Sequence, residues 1–196
     1  MNISALLKKL IARRDLTEEE AFDSIHAILA GEFTEGQIGA FLAALAAKGE
    51  TIAEIAGAAR AMRAAAVRIQ SLAPDTLDTV GTGGDGGLTF NISTTVAFVA
   101  AGAGAVVAKH GNRASSGKSG SADCLECLGL NLAAAPEVME QALNEIGITF
   151  MFAPAFHKAM RFAGPVRKQM GVRTLFNLLG PLTNPAGAPC QLLGVF

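Results

Sequence analysis

The residues best suited to chemistry fall in two short stretches. Lys109, His110, Gly111, Asn112, Arg113 and Ala114 run straight into Ser115, Ser116, Gly117, Lys118, Ser119, Gly120 and Ser121. Cationic side chains, hydroxyl donors and bare glycine backbone in one stretch are the materials of an anion site. A second stretch, VGTGGDGGLTFNIS from Val80 to Ser93, holds Gly81, Gly83, Gly84, Asp85 and Gly86 ahead of Thr89, Asn91 and Ser93. Glycine in ordered structure costs about 0.5–1 kcal/mol relative to alanine, so a glycine cluster needs a reason. Gly81, Gly83 and Gly84 let backbone N–H groups converge, and a following helix start adds free donors. Such a cradle suits phosphate. Asp85 suits a ribose hydroxyl, a backbone donor or a magnesium shell. The stretch has no GxxxxGK[ST] P-loop, and Gly81, Gly83 and Gly86 fall out of register with GxGxxG. Two anion loops suggest a ligand with two phosphorylated ends.

The elements around these stretches explain how they could be positioned. Short β-type runs appear at LDTVG, AVVAKHG, ITFMFAP and CQLLGVF, with helical stretches at Ser93–Ala101, Ser121–Leu128 and Pro136–Ile146 between them. Both anion stretches thus follow strands, at carboxyl ends where α/β sheets bind ligands. Residues 1–70 read as helices. Thr17 with Glu20 and Thr51 with Glu54 form capping boxes, and Thr34 caps a helix between them. The expected architecture is α/β: a small all-helical N-terminal domain (1–70), then a larger domain (71–196) with a mostly parallel sheet. A helical stretch over Pro165–Leu179, within residues 165–185, is expected to pack with the N-terminal domain. The closing QLLGVF reads as a buried strand cut short, so the sheet is expected to be incomplete and the chain to be the N-terminal part of a longer protein.

Composition narrows the class. The chain has 196 residues, 51% hydrophobic and 17% charged, which suits a globular protein rather than a disordered one. Sixteen Lys and Arg against seventeen Asp and Glu give a net charge of −1, so no nucleic-acid partner is implied. No apolar run approaches the roughly 18 residues of a membrane span. Three cysteines without framework spacing fit a reducing, cytoplasmic setting. Cys124 and Cys127 sit in a helical run and read as packing residues, not metal ligands.

Several segments then resemble one family. DTVGTGGD (Asp78–Asp85), TFNIST (Thr89–Thr94), KHGNRA (Lys109–Ala114), SGSAD (Ser119–Asp123) and VRKQMGVRTLFNLLGPLTNPA (Val166–Ala186) are similar to the anthranilate phosphoribosyltransferases, over essentially the whole chain. The resemblance implies a helical domain joined to an α/β domain, usually as a homodimer. It implies transfer of phosphoribose from phosphoribosyl pyrophosphate to the amino group of anthranilate, with pyrophosphate leaving, in tryptophan biosynthesis.

By the same resemblance, Gly81, Gly84, Asp85, Thr89, Asn91, Ile92, Ser93 and Thr94 contact phosphoribosyl pyrophosphate. So do Lys109, His110, Gly111, Asn112, Arg113, Ala114, Ser115, Ser116, Gly117 and Ser121. Ser93 is the magnesium ligand within this chain (cofactor Mg2+), and an adjacent Asp-Glu pair is expected beyond residue 196. Anthranilate falls to Gly81, His110, Asn112, Arg167, His157 and Met160, with Arg167 forking the carboxylate. Asp85, Asn112 and Arg167 are the catalytic candidates, in positioning roles. Two positions depart from the family pattern: Gly117 lacks a usual serine hydroxyl, and Met160 replaces a frequent aromatic. The alternatives are a pyrimidine nucleoside phosphorylase and a non-catalytic nucleic-acid-binding relative on the same fold.

Overall fold

The computed structural model describes residues 2–83, 89–114 and 119–195. They divide into two compact units. One comprises residues 1–66 with 157–183, the other residues 67–156 with 184–196.

The first unit is helical: α1 (Ile3–Ile11), α2 (Glu18–Ala30), α3 (Glu35–Lys48) and α4 (Ile52–Ala65). Local chemistry sets the starts. Thr17, Thr34 and Thr51 each accept the N3 backbone N–H, while Glu20, Gln37 and Glu54 reach back to the cap N–H. Each box satisfies two donors that a helix start leaves bare. Ile25, Ile28, Ile38, Phe41, Leu42 and Leu45 recur at helical spacing and form the core with Ala58, Ala61, Leu175 and Leu179.

Glu54 does more than cap. It is fully buried, and its carboxylate accepts Leu16 N–H at 2.8 Å, Thr51 N–H at 2.8 Å and Lys48 Nζ at 2.9 Å. Lys48 also pairs with Asp15, whose side chain is 65% exposed. Coulomb attraction is strong for the buried partner and screened for the exposed one.

The helical stretch expected over Pro165–Leu179 is made of two helices. α9 (Gly164–Met170) stops at Gly171, where φ of +63° leaves the helical region. Gly171 N–H closes on Arg167 O, and Thr174 N–H donates to Asn177 Oδ1 at 3.0 Å to begin the next turn, α10 (Phe176–Leu179).

The second unit alternates β1 (Leu77–Gly81), α5 (Ile92–Gly102), β2 (Val107–Gly111), α6 (Ser121–Cys127), α7 (Pro136–Ile146), β3 (Ile148–Phe152), α8 (Ala153–Phe156) and β4 (Cys190–Gly194). The sheet runs β3-β2-β1-β4 with every pairing parallel. Ala108, Met139, Leu143, Met151 and Phe156 fill one patch of core, and Ala122, Leu125, Leu132 and Phe150 another. β3 reads as an apolar run, as expected for a covered parallel strand, whereas β1 and β2 carry the buried polar residues Asp78, Thr79, Lys109 and His110. β4 lies at the sheet edge and is exposed throughout, with Leu192 53% exposed.

Two substitutions separate the partners of Lys48. Glu54→Ala should lower unfolding free energy by about 2–3 kcal/mol, because it leaves the buried Leu16 N–H without its acceptor and removes the buried one of the two carboxylates that hold Lys48. Asp15→Ala should cost under about 1 kcal/mol. Urea titrations of both variants check this, and equal losses would contradict it.

Candidate functional site

The sheet order contains a switch point. From β1 the chain moves to β2 and then β3 on one side, then returns to place β4 on the other side of β1. Ligands of open α/β sheets bind beyond strand carboxyl ends at such a reversal. β1 and β4 stay paired to their ends, Gly81 against Gly194, and Thr82 N–H then donates to Gly194 O at 3.0 Å. The glycine stretch therefore leaves from the reversal itself.

β1 and β2 are registered at Leu77–Val107. Beyond that rung, side chains link them. Asp78 accepts the backbone N–H of His110 at 3.1 Å, and Lys109 Nζ donates to Thr79 O at 2.5 Å. Lys109 extends further to Ser93 Oγ at 3.0 Å, in the first turn of α5. Thr79 Oγ1 fixes the same turn by donating to Ser93 O at 2.9 Å. Lys109 is thus a rod between two strands and a helix start, only 3% exposed. Burial drives its ammonium down to about 8, against the nearby Asp78 charge, which raises it. Burial pushes the Asp78 carboxyl up. Hydrogen bonds from Asn184, His110 and Gln191, and the Lys109 charge, oppose that shift.

A ring of small polar groups completes the described part of the site. Thr94 and Ser121 share a hydroxyl hydrogen bond of 2.9 Å, joining α5 to α6. Asn91 Nδ2 reaches Ser119 Oγ at 3.3 Å. One buried cation, four hydroxyls (Ser93, Thr94, Ser119, Ser121) and one amide therefore pair up as Lys109–Ser93, Thr94–Ser121 and Asn91–Ser119 around the ends of β2, α5 and α6. Lys109 and Thr94 are buried, Ser93 and Ser121 half-buried and Ser119 exposed, so donors reach from the interior to the surface, a pattern that suits phosphate oxygens.

Of the residues read from sequence, Gly81, Thr89, Asn91, Ile92, Ser93, Thr94, Ser121 and the run Lys109–Ala114 all lie in this second unit. His157, Met160 and Arg167 belong to the first, with His157 buried and Arg167 half-buried. Arg167 lies over the Phe176 ring, 5.3 Å from its centroid, and burial lowers its guanidinium. Gly84, Asp85, Ser115, Ser116 and Gly117 lie outside the described residues. Sequence reasoning misses Asp78 and Asn184. Asn184 Nδ2 donates to Ala108 O at 2.8 Å, under the lysine strand. The available signal is Asp78 itself, an acid at an inward position of an apolar strand.

Among the described residues no group of three or more His, Cys, Asp or Glu could hold a metal ion. Ser93 Oγ meets the Lys109 cation at 3.0 Å, which opposes a second cation there. The described residues do not form a magnesium centre by themselves. No described helix is long and apolar enough to cross a membrane.

The buried lysine has a measurable signature. Its native pKa, about 8, lies below the unfolded value near 10.4, so between those values the unfolded chain binds more protons. Stability should therefore rise with pH across that window. Relative to Lys109→Met, the wild type should gain on the order of 1–2 kcal/mol between pH 7.5 and 9.5 in urea titrations. A constant difference would mean that Lys109 is solvated.

Comparison with known proteins agrees with this geometry. The chain is 62% identical to the anthranilate phosphoribosyltransferase of Desulfosudis oleivorans over 98% of its own length and 57% of that protein. It is 54% identical to the enzyme of that name from Moorella thermoacetica, again over 57% of its length. The chain thus spans about 57% of these curated relatives. The crystal structure of anthranilate phosphoribosyltransferase from Thermus thermophilus superposes with a TM-score of 0.92 at 52% identity, covering 97% of this chain and 58% of that one. The Saccharomyces cerevisiae enzyme in complex with PRPP and Mg gives 0.90 at 31% identity, covering 99% and 58%. The same enzyme with 4-fluoroanthranilate gives 0.84 at 29% identity, covering 99% and 56%. With a helical bundle domain matched over residues 4–66 and an a/b domain over residues 73–196, the chain belongs to the glycosyl transferase family.

Proposed function

We propose that the protein transfers the phosphoribosyl group of phosphoribosyl pyrophosphate to the amino group of anthranilate, giving N-(5-phosphoribosyl)anthranilate and pyrophosphate. The observation that carries this reading is the buried Lys109 ammonium among the hydroxyls of Ser93, Thr94, Ser119 and Ser121, at the carboxyl ends of parallel strands. The relatives' shared name and the yeast complexes with PRPP and with 4-fluoroanthranilate support the choice of substrates.

The chemistry asks little of a covalent catalyst. The anthranilate nitrogen bonds to ribose C1 as the C1–O bond to pyrophosphate breaks, and the nitrogen then releases one N–H proton to solvent or to the departing pyrophosphate. Negative charge gathers on the leaving oxygens while the ribose becomes cation-like. Fixed donors such as Lys109 and the hydroxyl ring stabilise the departing charge without reorganising. An aniline nitrogen is neutral near pH 7 and needs no prior deprotonation. The yeast complex also contains Mg; in this chain Ser93 Oγ already meets the Lys109 ammonium, so Ser93 is not assigned to magnesium. Asn112 and His110 at the end of β2, Gly81 at the end of β1, and His157, Met160 and Arg167 are the anthranilate residues in this reading. Among the described residues no carboxylate pairs with Arg167, although burial lowers its guanidinium. A half-buried cation without an acid is suited to the carboxylate of an aromatic acid. The reading extends to tryptophan biosynthesis in the cytoplasm by a homodimer.

Incubating the full-length protein with both substrates and magnesium should yield the fluorescent-to-nonfluorescent conversion of anthranilate with stoichiometric pyrophosphate. Phosphorolysis of thymidine, with no anthranilate consumed, would replace this reading with a nucleoside phosphorylase. Arg167→Ala should raise the KM for anthranilate by about one to two decades with the KM for phosphoribosyl pyrophosphate nearly unchanged. Arg167→Lys should recover part of the loss, since it keeps the charge but not the planar fork. Equal loss of both substrates would make Arg167 structural.

A further inference from the structure

The chain enters the second anion stretch through residues 112–114 and leaves it through 119–123, and these two segments are laced together into a neck. Asn112 O accepts Ala122 N–H at 3.2 Å. A single oxygen, Asp123 Oδ2, accepts both Ala114 N–H at 2.9 Å and Gly120 N–H at 2.8 Å. The other, Oδ1, takes Arg113 Nη1 at 2.9 Å. The Arg113 guanidinium also forks onto Glu126, with bonds of 2.8 and 2.9 Å, and lies 5.6 Å from the centroid of the Phe152 ring at the end of β3. Gly120 sits so close to the entering segment that a Cβ would stand 2.3 Å from Ala114 N and 2.5 Å from Arg113 C.

The neck is tied in turn to the phosphate donors. Ser119 and Gly120 meet Asn91 Nδ2 at 3.3 and 3.5 Å, and Ser121 meets Thr94 at 2.9 Å. Asn91 and Thr94 open α5, the helix start that Lys109 reaches. Moving the neck moves the donor ring.

The ion pairs alone do not account for so fixed an arrangement. Arg113, Asp123 and Glu126 side chains are 45%, 30% and 52% exposed, where pairs contribute little. The distinguishing feature is a carboxylate gathering two backbone N–H groups from opposite sides of the neck. Those N–H bonds, with Arg113, hold the Asp123 carboxyl below the usual range. The Arg113 guanidinium is meanwhile engaged by two carboxylates and a ring.

We propose that Asp123 is a positioning residue for phosphoribosyl pyrophosphate: its carboxylate joins Ala114 to Gly120 and so holds Asn91, Thr94, Ser119 and Ser121 in place to receive phosphate. The inference rests on the function proposed above. Donors displaced by even part of an ångström lose much of their hold on a charged ligand. The effect should therefore fall first on this substrate, and to a smaller extent on anthranilate through Asn112, whose carbonyl lies in the neck.

Two variants of the full-length protein test it by different routes. Asp123→Asn keeps size but replaces an accepting oxygen with a donor, and Gly120→Ala pries the neck apart without changing charge. Calorimetric titration with phosphoribosyl pyrophosphate and magnesium should show about tenfold weaker binding in each. The KM for anthranilate should rise by a clearly smaller factor. Amide exchange at Ala114 and Gly120 should be faster in Asp123→Asn than in the wild type. Wild-type failure to bind phosphoribosyl pyrophosphate would overturn the proposed function and this inference with it. Wild-type binding with unchanged affinity in a folded Asp123→Asn variant would overturn the inference alone. So would equal weakening toward both substrates.

Discussion

A lysine ammonium held out of water organises the α/β unit. Lys109 reaches from β2 to a carbonyl of β1 and a hydroxyl of α5, and its charge has few other means of solvation. Desolvating an ammonium costs several kcal/mol unless partners replace the water. Thr79 O, Ser93 Oγ and the field of Asp78 are those partners. Each fixes something else: Asp78 seats the N–H of His110, and Thr79 holds the start of α5 through its own hydroxyl. The strand ends, the helix start and the cation thus have one joint arrangement.

That arrangement also explains why the polar groups collect at this end of the sheet. β4 returns beside β1, so the glycine stretch leaves from the point where chain direction across the sheet reverses. The donors gathered there come from β2, α5 and the start of α6, and the one long side chain among them, Lys109, is held by Thr79 O and Ser93 Oγ. The neck at Asp123 extends the rigidity to α6, and Asn184 extends it below the sheet through Ala108 O. The helical unit is built on a different principle, with local caps and apolar stripes, and its buried ion pair, Lys48–Glu54, is itself part of a cap.

Much of this is legible in the sequence where the determinants are local. Thr17 with Glu20 and Thr51 with Glu54 mark helix starts because a capping box needs only four residues. The strands at LDTVG and ITFMF stand out as short apolar runs between turn signals. The Pro165–Leu179 stretch is legible as helical, and the break at Gly171, where φ is +63°, is a detail that the pattern alone does not place. The types of the phosphate donors are legible, but their coupling is not. Nothing local to Asp78 says that it faces the N–H of a residue 32 positions on, or that Asp123 turns back to Ala114. Such roles depend on which strands become neighbours, a property of topology.

The central claim is that the Lys109 ammonium is the buried cation that receives phosphate. It is tested most directly by titrating that one group, through the chemical shift of its isotopically labelled Cε, in the full-length protein with and without phosphoribosyl pyrophosphate. The account predicts titration near 8 in the free protein and at least about one unit higher with the ligand bound, because a facing anion favours the charged form. An ordinary lysine value in the free protein, or a titration that the ligand leaves unmoved, would contradict it.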